Sequence, residues 1–380
     1  MRILTSGESH GPALVAIIEG LPSGLPVWPE KIDEQLRRRQ LGAGRGYRQV
    51  IEKDHVEILS GVRHGRTLGR PVALRIENRD WKNWMDTMSA GEGRSDRAVT
   101  LPRPGHADLA GAIKYDRRDA RDILERASAR ETAARVAAGA LVGPLLEVPG
   151  IRVASCVLAI GSVKSPVVPD FDQCPGLEPE LPFPDEASRR LAAAEIKRAK
   201  ASGDTLGGRI LVIARGVPPG LGSHVQWDRR LDSRLSAWLM SLPSAKGVLL
   251  GDIEEAAEGL GSDFHDPIEY EPKRGFIRPT NHAGGLEGGM TNGQDLRIQV
   301  LLKPLPTLMH PLPSADLLTK KTAKARVERS DVCAVVPAAV IGEALTSLCL
   351  AEACLEKFGG DSLLEFKRNV DGYLRQVKDF

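Results

Sequence analysis

The sequence is short of aromatic residues: Phe, Trp and Tyr together make up 4% of 380 residues. Any core must therefore come from aliphatic side chains, and platforms on which nucleotide bases stack are scarce. Cysteine is scarce as well. The five present, Cys156, Cys174, Cys333, Cys349 and Cys354, are odd in number and form no CxxC pair, which excludes a disulfide framework and a cysteine-based zinc site and suits a reducing compartment. Charge of one sign is missing, since 52 basic and 50 acidic residues leave a net +2. No overall field then draws nucleic acid or membrane, and anion binding has to arise from local clustering. Long apolar runs are also missing. Ser6, Glu8, Ser9 and His10 stand where a signal peptide needs an apolar stretch, and the late run Val332–Gly342 is interrupted by Pro337 and falls short of the roughly 20 residues of a membrane span. The expectation is a cytoplasmic protein without nucleic-acid, membrane or metal partners.

What is present is ordinary globular material, 42% apolar and 27% charged, with 39 glycines and 26 prolines that call for many tight loops. Strands are expected at Ala13–Glu19, Pro71–Glu77, Ile151–Ile160, Arg209–Arg215, Gly247–Leu250 and Gln294–Leu302. Helices are expected from Pro29 toward Arg39, from Asp119 to about Leu141 with a stop at Gly143-Pro144, and at Asp185–Ala201, Arg229–Met240, Ala338–Phe358 and Ser362–Val377. Residues 166–184 read as an irregular excursion. Strands and helices mix without a repeating unit, so the fold class is α+β, and the pattern alone leaves one or two domains open.

Five clusters offer chemistry. In Gly7-Glu8-Ser9-His10-Gly11, glycines bracket a serine and a histidine suited to proton transfer near neutral pH. Arg37, Arg38, Arg39, Arg45 and Arg48 fall within twelve residues across a glycine-rich break, and arginine is suited to bidentate carboxylate or phosphate recognition. Arg103-Pro104-Gly105-His106-Ala107-Asp108 presents Arg and His from a turn, to hold a leaving phosphate and supply its proton. Arg126 and Arg130, at helical i,i+4 spacing with Ser128 between them, repel by a few tenths of a kcal/mol unless an anion joins them. Gly284–Gly293 packs five glycines into ten residues, too many for a stable element, and reads as a loop cradling a ligand or as a flexible lid. The competing readings of the others are a surface turn, a solvated charged face, an ordinary loop and a helix face neutralised by Glu125 and Glu131.

Taken together and in order, these segments resemble the chorismate synthase family across nearly the whole chain. The match is carried by Gly7–Gly11 (GESHG), Arg39 with Arg45 and Arg48, Arg103–Asp108 (RPGHAD), Arg126–Thr132 (RASARET), Gly261–Asp266 (GSDFHD), Gly284–Gly293 (GGLEGGMTNG), Lys303–Thr307 (KPLPT) and Arg329–Asp331 (RSD). The resemblance implies a single domain over residues 1–380, a compact β-α-β sandwich, a homotetramer, and elimination of phosphate from 5-enolpyruvylshikimate 3-phosphate to give chorismate with reduced FMN. It leaves open whether NADPH reduces the flavin on this chain or a separate flavin reductase does. It further implies that Arg39, Arg45, Arg48, Arg103, Arg130 and Arg329 clamp substrate anions. His106 would sit near the leaving phosphate, His10 would handle a proton at the flavin's pyrimidine edge, and Asp331 would act at its N5 position. Ser9 and Ser128 would complete the hydrogen-bond shell. Flavin contacts would come from Arg126, Ala127, Ser128, Ser244, Gly288, Lys303, Pro304, Leu305, Pro306, Thr307 and Arg329. In Pro243–Leu249, however, Pro243 and Leu249 replace an Asn and a Glu of the family pattern, which bears on Ser244.

Two other classes compete. A nucleic-acid binder would use Arg37–Arg48, although only Tyr47 interleaves there; a flavin oxidoreductase would need net hydride transfer, although no dinucleotide fingerprint is present.

Overall fold

Leu14, Ala16 and Ile18 alternate with more exposed neighbours, as do Val72, Leu74 and Ile76, the pattern of strands buried on one face. In the computed structural model, which describes residues 1–45, 53–93, 97–328 and 330–380, these segments lie in a four-stranded antiparallel sheet. Its strands are β1 (Arg2–Ser6), β2 (Ala13–Glu19), β3 (Val56–Ser60) and β4 (Val72–Glu77), in the order β1-β2-β4-β3. A second antiparallel sheet has the order β8-β9-β7-β5-β6, with β5 Arg152–Ile160, β6 Val163–Lys164, β7 Gly208–Arg215, β8 Ala245–Leu250 and β9 Leu296–Leu302. β5 and β7 read as nearly unbroken apolar runs because both faces are covered. The excursion at residues 166–184 supplies the outer cover, packing Phe171 and Cys174 on Cys156, Leu211 and Ile213.

The main helices are α1 (Pro29–Gln40), α2 (Asp108–Lys114), α3 (Thr132–Glu147), α4 (Glu186–Ala201), α5 (Leu231–Met240), α6 (Val335–Phe358) and α7 (Leu363–Asp379), and α3 and α6 fill the space between the sheets. α3 packs on β2 and β4, α6 packs on β5 and β7, and α1 touches β3 and both of those helices. The result is the sandwich of sheet, helices and sheet. α6 is mostly apolar and buried along most of its length, with Glu343 and Glu352 paired to arginines. By length and composition it could cross a membrane, yet 83% of its most apolar window is buried inside the protein. Here the apolar run outlasts the sequence expectation, because Pro337 lies in the first turn, where a helix tolerates proline. Two glycines let α6 sit this close to its neighbours. A Cβ on Gly139 would lie 2.6 Å from the Ala344 Cβ, and one on Gly342 would lie 2.9 Å from the Val212 side chain.

The helix expected over Asp119–Leu141 is not continuous. A short turn at Arg121–Leu124 ends before a second helical start at Ala129–Glu131, which runs on into α3. Ser128 is extended and its hydroxyl accepts from the Arg130 amide, a helix-start cap. At the other end Pro144 sits inside α3 rather than stopping it. The lost hydrogen bond is offset by burial of Leu145 and Leu146, 0% and 3% exposed. The glycine-rich stretch also differs from expectation. Gly288 and Gly289, at φ +57° and +83°, turn a small hairpin pairing Leu286–Glu287 with Met290–Thr291. Two successive positive φ angles are what the tightest hairpin turn demands.

Candidate active site

The site is built around two histidines and a buried knot of arginines. The turn Gly7–Gly11 leaves β1 and is tied down from three sides. Asn78 donates to the carbonyls of Glu8 and Gly11, the Ser9 amide donates to the Glu125 carbonyl at 2.9 Å, and Arg126 donates to the carbonyls of Thr5 and Gly7. His10 Nδ1 lies 2.7 Å from Glu125 Oε2, which also accepts from the His10 amide. The opposite oxygen of Glu125 accepts from Arg121 at 2.8 Å. Burial alone would raise the Glu125 pKa, but the hydrogen bond to His10 and the Arg121 charge hold it below the usual carboxylate value. The His10 ring stacks on Trp84 with centroids 3.9 Å apart.

The second histidine repeats the arrangement. His106 Nδ1 lies 2.5 Å from Asp108 Oδ1, and Asp108 opens α2 while accepting from the Arg103 amide and side chain. Burial opposes its ionisation, yet the hydrogen bonds from His106 and Arg103 hold Asp108 far below its ordinary value. Arg103 also donates to the Thr307 hydroxyl, and Lys303 Nζ donates to the Gly105 carbonyl. The expected flavin segment Lys303–Thr307 thus lies against the turn that carries His106. Ser244 joins it, its carbonyl accepting from the Lys303 amide.

The arginine knot centres on Asp54, whose buried side chain accepts from Arg39 at 2.8 Å and from Arg130 at 2.6 Å. Arg130 also donates to Asn78, the same residue that holds the His10 turn. Arg45 pairs with Asp331 at 2.5 Å. Burial lowers the Arg39 pKa to about 10, Asp54 opposing this and the like charges of Arg130 and Arg45 adding to it. Asp54 is itself held low, the Arg39 and Arg130 charges outweighing its burial. Nε of Arg39 and Nε of Arg45 are buried donors without a hydrogen-bond partner among the described residues. Arg326, Glu328 and Val332 connect the groups: the Arg326 amide donates to the Leu101 carbonyl, Glu328 faces Arg121 at 3.9 Å, and the Val332 amide donates to the Gly44 carbonyl.

The sequence-derived residues thus fall mostly into three linked groups, around His10, around His106 and around Asp54. Arg48 and Arg329 lie outside the described residues. Arg126 and Arg130 do not share a helix face, as their spacing suggested, because the helix is broken at Ser128 and they point to different partners. Ala127 lies in that break, its amide bonded to Ile123. Gly288 stands apart: its hairpin adjoins the Leu296 end of β9, whereas Ser244 and Lys303 adjoin the Leu302 end, about 20 Å away along a seven-residue strand. The basic run also disperses. Arg37 pairs with exposed Glu34, Arg38 with Glu343 of α6, and Arg39 turns inward, so the described residues form no continuous basic face there. Asp266 of the GSDFHD segment serves architecture, accepting from Thr280 and from the amides of His282 and Ala283. A cavity of about 310 Å³ between α1, α3 and α6, lined by Trp28, Lys31, Gln35 and Glu343, includes none of the site residues.

Sequence reasoning missed Asp54, Asn78, Trp84 and Arg121, which stand outside every motif. Asp108 lies within a motif without a role of its own, and Glu125 enters only as a neutraliser of a helix face. The signal that was available is physical: arginines gathered at a buried site require carboxylates, though which ones only the fold decides.

Comparison with known proteins agrees with this geometry. The chorismate synthase family model matches residues 1–355. A chorismate synthase of Symbiobacterium thermophilum is 55% identical over 99% of both chains, and one of Desulforudis audaxviator is 53% identical over 100% of this chain and 98% of that one. A crystal structure of chorismate synthase superposes with a TM-score of 0.80 at 41% identity, covering 100% of this chain and 98% of the other. With sequence and fold matched end to end, and with the converging arginines and histidines being those the motifs carry, this chain belongs to the chorismate synthase family.

Proposed function

We propose that this enzyme eliminates phosphate from 5-enolpyruvylshikimate 3-phosphate to give chorismate, with reduced FMN bound beside the substrate. The observation that carries the reading is the arginine knot. Arg39, Arg45 and Arg130 gather around the carboxylates of Asp54 and Asp331, and Arg39 and Arg45 each keep a buried Nε without an acceptor among the described residues. Two buried guanidinium donors without acceptors are what a multiply anionic substrate would satisfy.

Reduced flavin fits the neighbouring residues. The segment Lys303–Thr307 and the Ser128 turn offer backbone and hydroxyl groups, and the flavin would supply the electron-rich partner that makes loss of phosphate feasible. The chain's own groups bind, orient and move protons. The arginines hold the substrate carboxylates and phosphate. His106, its Nδ1 engaged by Asp108, directs Nε2 toward the departing phosphate, and Arg103 offsets the charge that develops there. His10, its Nδ1 engaged by Glu125, holds a proton at the flavin's pyrimidine edge. Asp331, restrained by Arg45, completes the path for the proton lost from substrate C6. Proton and phosphate leave together as an elimination, and no net oxidation occurs. Exposed Leu4 and Ile17, directly opposite each other on β1 and β2, support assembly into tetramers, and five free buried cysteines support a cytoplasmic setting.

The test is anaerobic turnover with chemically reduced FMN, following chorismate absorbance and phosphate release. Many turnovers per reduced flavin are expected. Stoichiometric flavin consumption would instead mark an oxidoreductase. Oxidised FMN with NADPH in the same assay separates self-reduction from dependence on a separate reductase.

A further inference from the structure

We infer that Glu125 is the positioning residue for His10: it fixes the ring as the Nδ1–H tautomer and turns Nε2 toward the reacting molecules. The inference rests on the reading of His10 as a proton-handling group. Its support is geometric. Glu125 is 1% exposed, and one carboxylate oxygen takes both the His10 Nδ1 at 2.7 Å and the His10 amide at 3.1 Å. An ionised carboxylate only accepts, so the ring nitrogen facing it must carry the proton. The other oxygen is occupied by Arg121, which is 3% exposed, and this buried charge keeps the carboxylate ionised.

The second constraint acts on the ring plane. His10 stacks on Trp84, with 27° between the planes. Trp84 is fixed in turn by its Nε1 hydrogen bond to Asp80, and by the guanidinium groups of Arg121 and Arg97 at 5.0 and 5.1 Å from its ring centre. Stacking sets the tilt of the imidazole, and the hydrogen bond sets its rotation within that tilt. Neither constraint uses Nε2, which stays available. Among the described residues the charged groups around the ring are thus Glu125, Arg121 and Arg97, with Glu328 facing Arg121. The His106–Asp108–Arg103 group has the same logic, so each histidine of the site is backed by a buried carboxylate that is itself neutralised by an arginine. Orientation and tautomer control by a buried carboxylate is a recognised source of rate in enzymes.

Imidazole ¹⁵N spectra of the wild-type enzyme give a first test that depends on no variant. With His10→Ala identifying the signal among eight histidines, a protonated Nδ1 and bare Nε2 are expected well above the ordinary imidazole pKa. A bare Nδ1 overturns the inference. In Glu125→Gln the tautomer is expected to become mixed, and kcat to fall about 10²-fold with KM moved less than about threefold, the lower range of what a positioned acid–base group contributes. Glu125→Asp, which restores the charge, recovers part of the loss. The double variant Glu125→Gln with His10→Ala is expected to be no slower than His10→Ala alone, because Glu125 acts through the ring. Multiplying losses overturn the inference, as does full activity of Glu125→Gln beside an inactive His10→Ala, which leaves the reading of His10 standing. Wild-type turnover of His10→Ala removes that reading and the positioning role together.

Discussion

Replacing Asp54 by Asn is the most direct test of the arginine knot. The carboxylate is fully buried and bonds Arg39 at 2.8 Å and Arg130 at 2.6 Å. At an effective dielectric constant near 20, each of these charge pairs contributes about 4 kcal/mol of Coulomb energy, against several kcal/mol spent in desolvating the carboxylate. Asparagine keeps the shape but turns an NH2 toward one of the two guanidinium groups and leaves their mutual repulsion uncompensated. Breaking a buried pair of this kind costs about 3–5 kcal/mol, a large part of the roughly 5–15 kcal/mol by which a folded protein is stable. Urea unfolding followed by circular dichroism, without ligand, is expected to show that loss. Inorganic phosphate at high concentration is expected to narrow the gap between variant and wild type, because an anion among the arginines replaces the missing charge. A variant within about 1 kcal/mol of wild type, well below the cost of an orphaned buried charge, refutes the reasoning. So does phosphate stabilising both proteins equally.

The remaining predictions concern acid, packing and the histidine turn. Asp54, Asp108 and Glu125 all have pKa values held below the ordinary carboxylate range; their contribution is present above the unfolded value near pH 4 and is lost as the pH falls through the lowered folded values. Urea midpoints are therefore expected to hold steady from neutral pH toward about 5 and to fall below about 4, with Asp108→Asn flattening that fall. Gly139→Ala places a methyl 2.6 Å from the Ala344 Cβ and 2.7 Å from its Cα, forcing α3 and α6 apart; a loss of about 1–3 kcal/mol in urea is expected. Arg126→Lys loses the fork that spans the Thr5 and Gly7 carbonyls, so faster hydrogen exchange over residues 5–11 and about tenfold slower turnover are expected. Unchanged exchange there would mean that the turn is held by Asn78 and Glu125 alone.

Much of the framework can be read from residue spacing. The strand at Ala13–Glu19 and the helix from Pro29 have the expected limits, because their apolar periods are uninterrupted and a proline marks the helix start. Spacing fails where one residue answers to a distant partner. Arg126 and Arg130 look like helix neighbours, but Ser128 finds a better use for its hydroxyl as a cap. Pro144 looks like a stop, but the leucines beyond it have a core to enter. Gly284–Gly293 looks unstructured, but two left-handed positions in a row are what a tight hairpin needs. At the site, the histidines and arginines announce themselves within motifs. Asp54 and Trp84 do not, since their importance lies in which side chains the two sheets bring beside them, and that is a property of topology.

α6 has a consequence for how the protein comes into being. Residues 335–358 occupy the middle of the sandwich and follow every strand of both sheets in the sequence. While the ribosome works toward them, the inner faces of β5 and β7, on which α6 packs, lack that cover. At about 5–20 residues per second that interval is on the order of tens of seconds. During it the nascent chain exposes strand after strand of aliphatic surface, and when α6 emerges it is itself apolar enough to be taken for a membrane segment. The order of synthesis thus makes this a protein whose core closes late, and one for which holding chaperones and the competition from membrane-targeting factors matter most in that short interval.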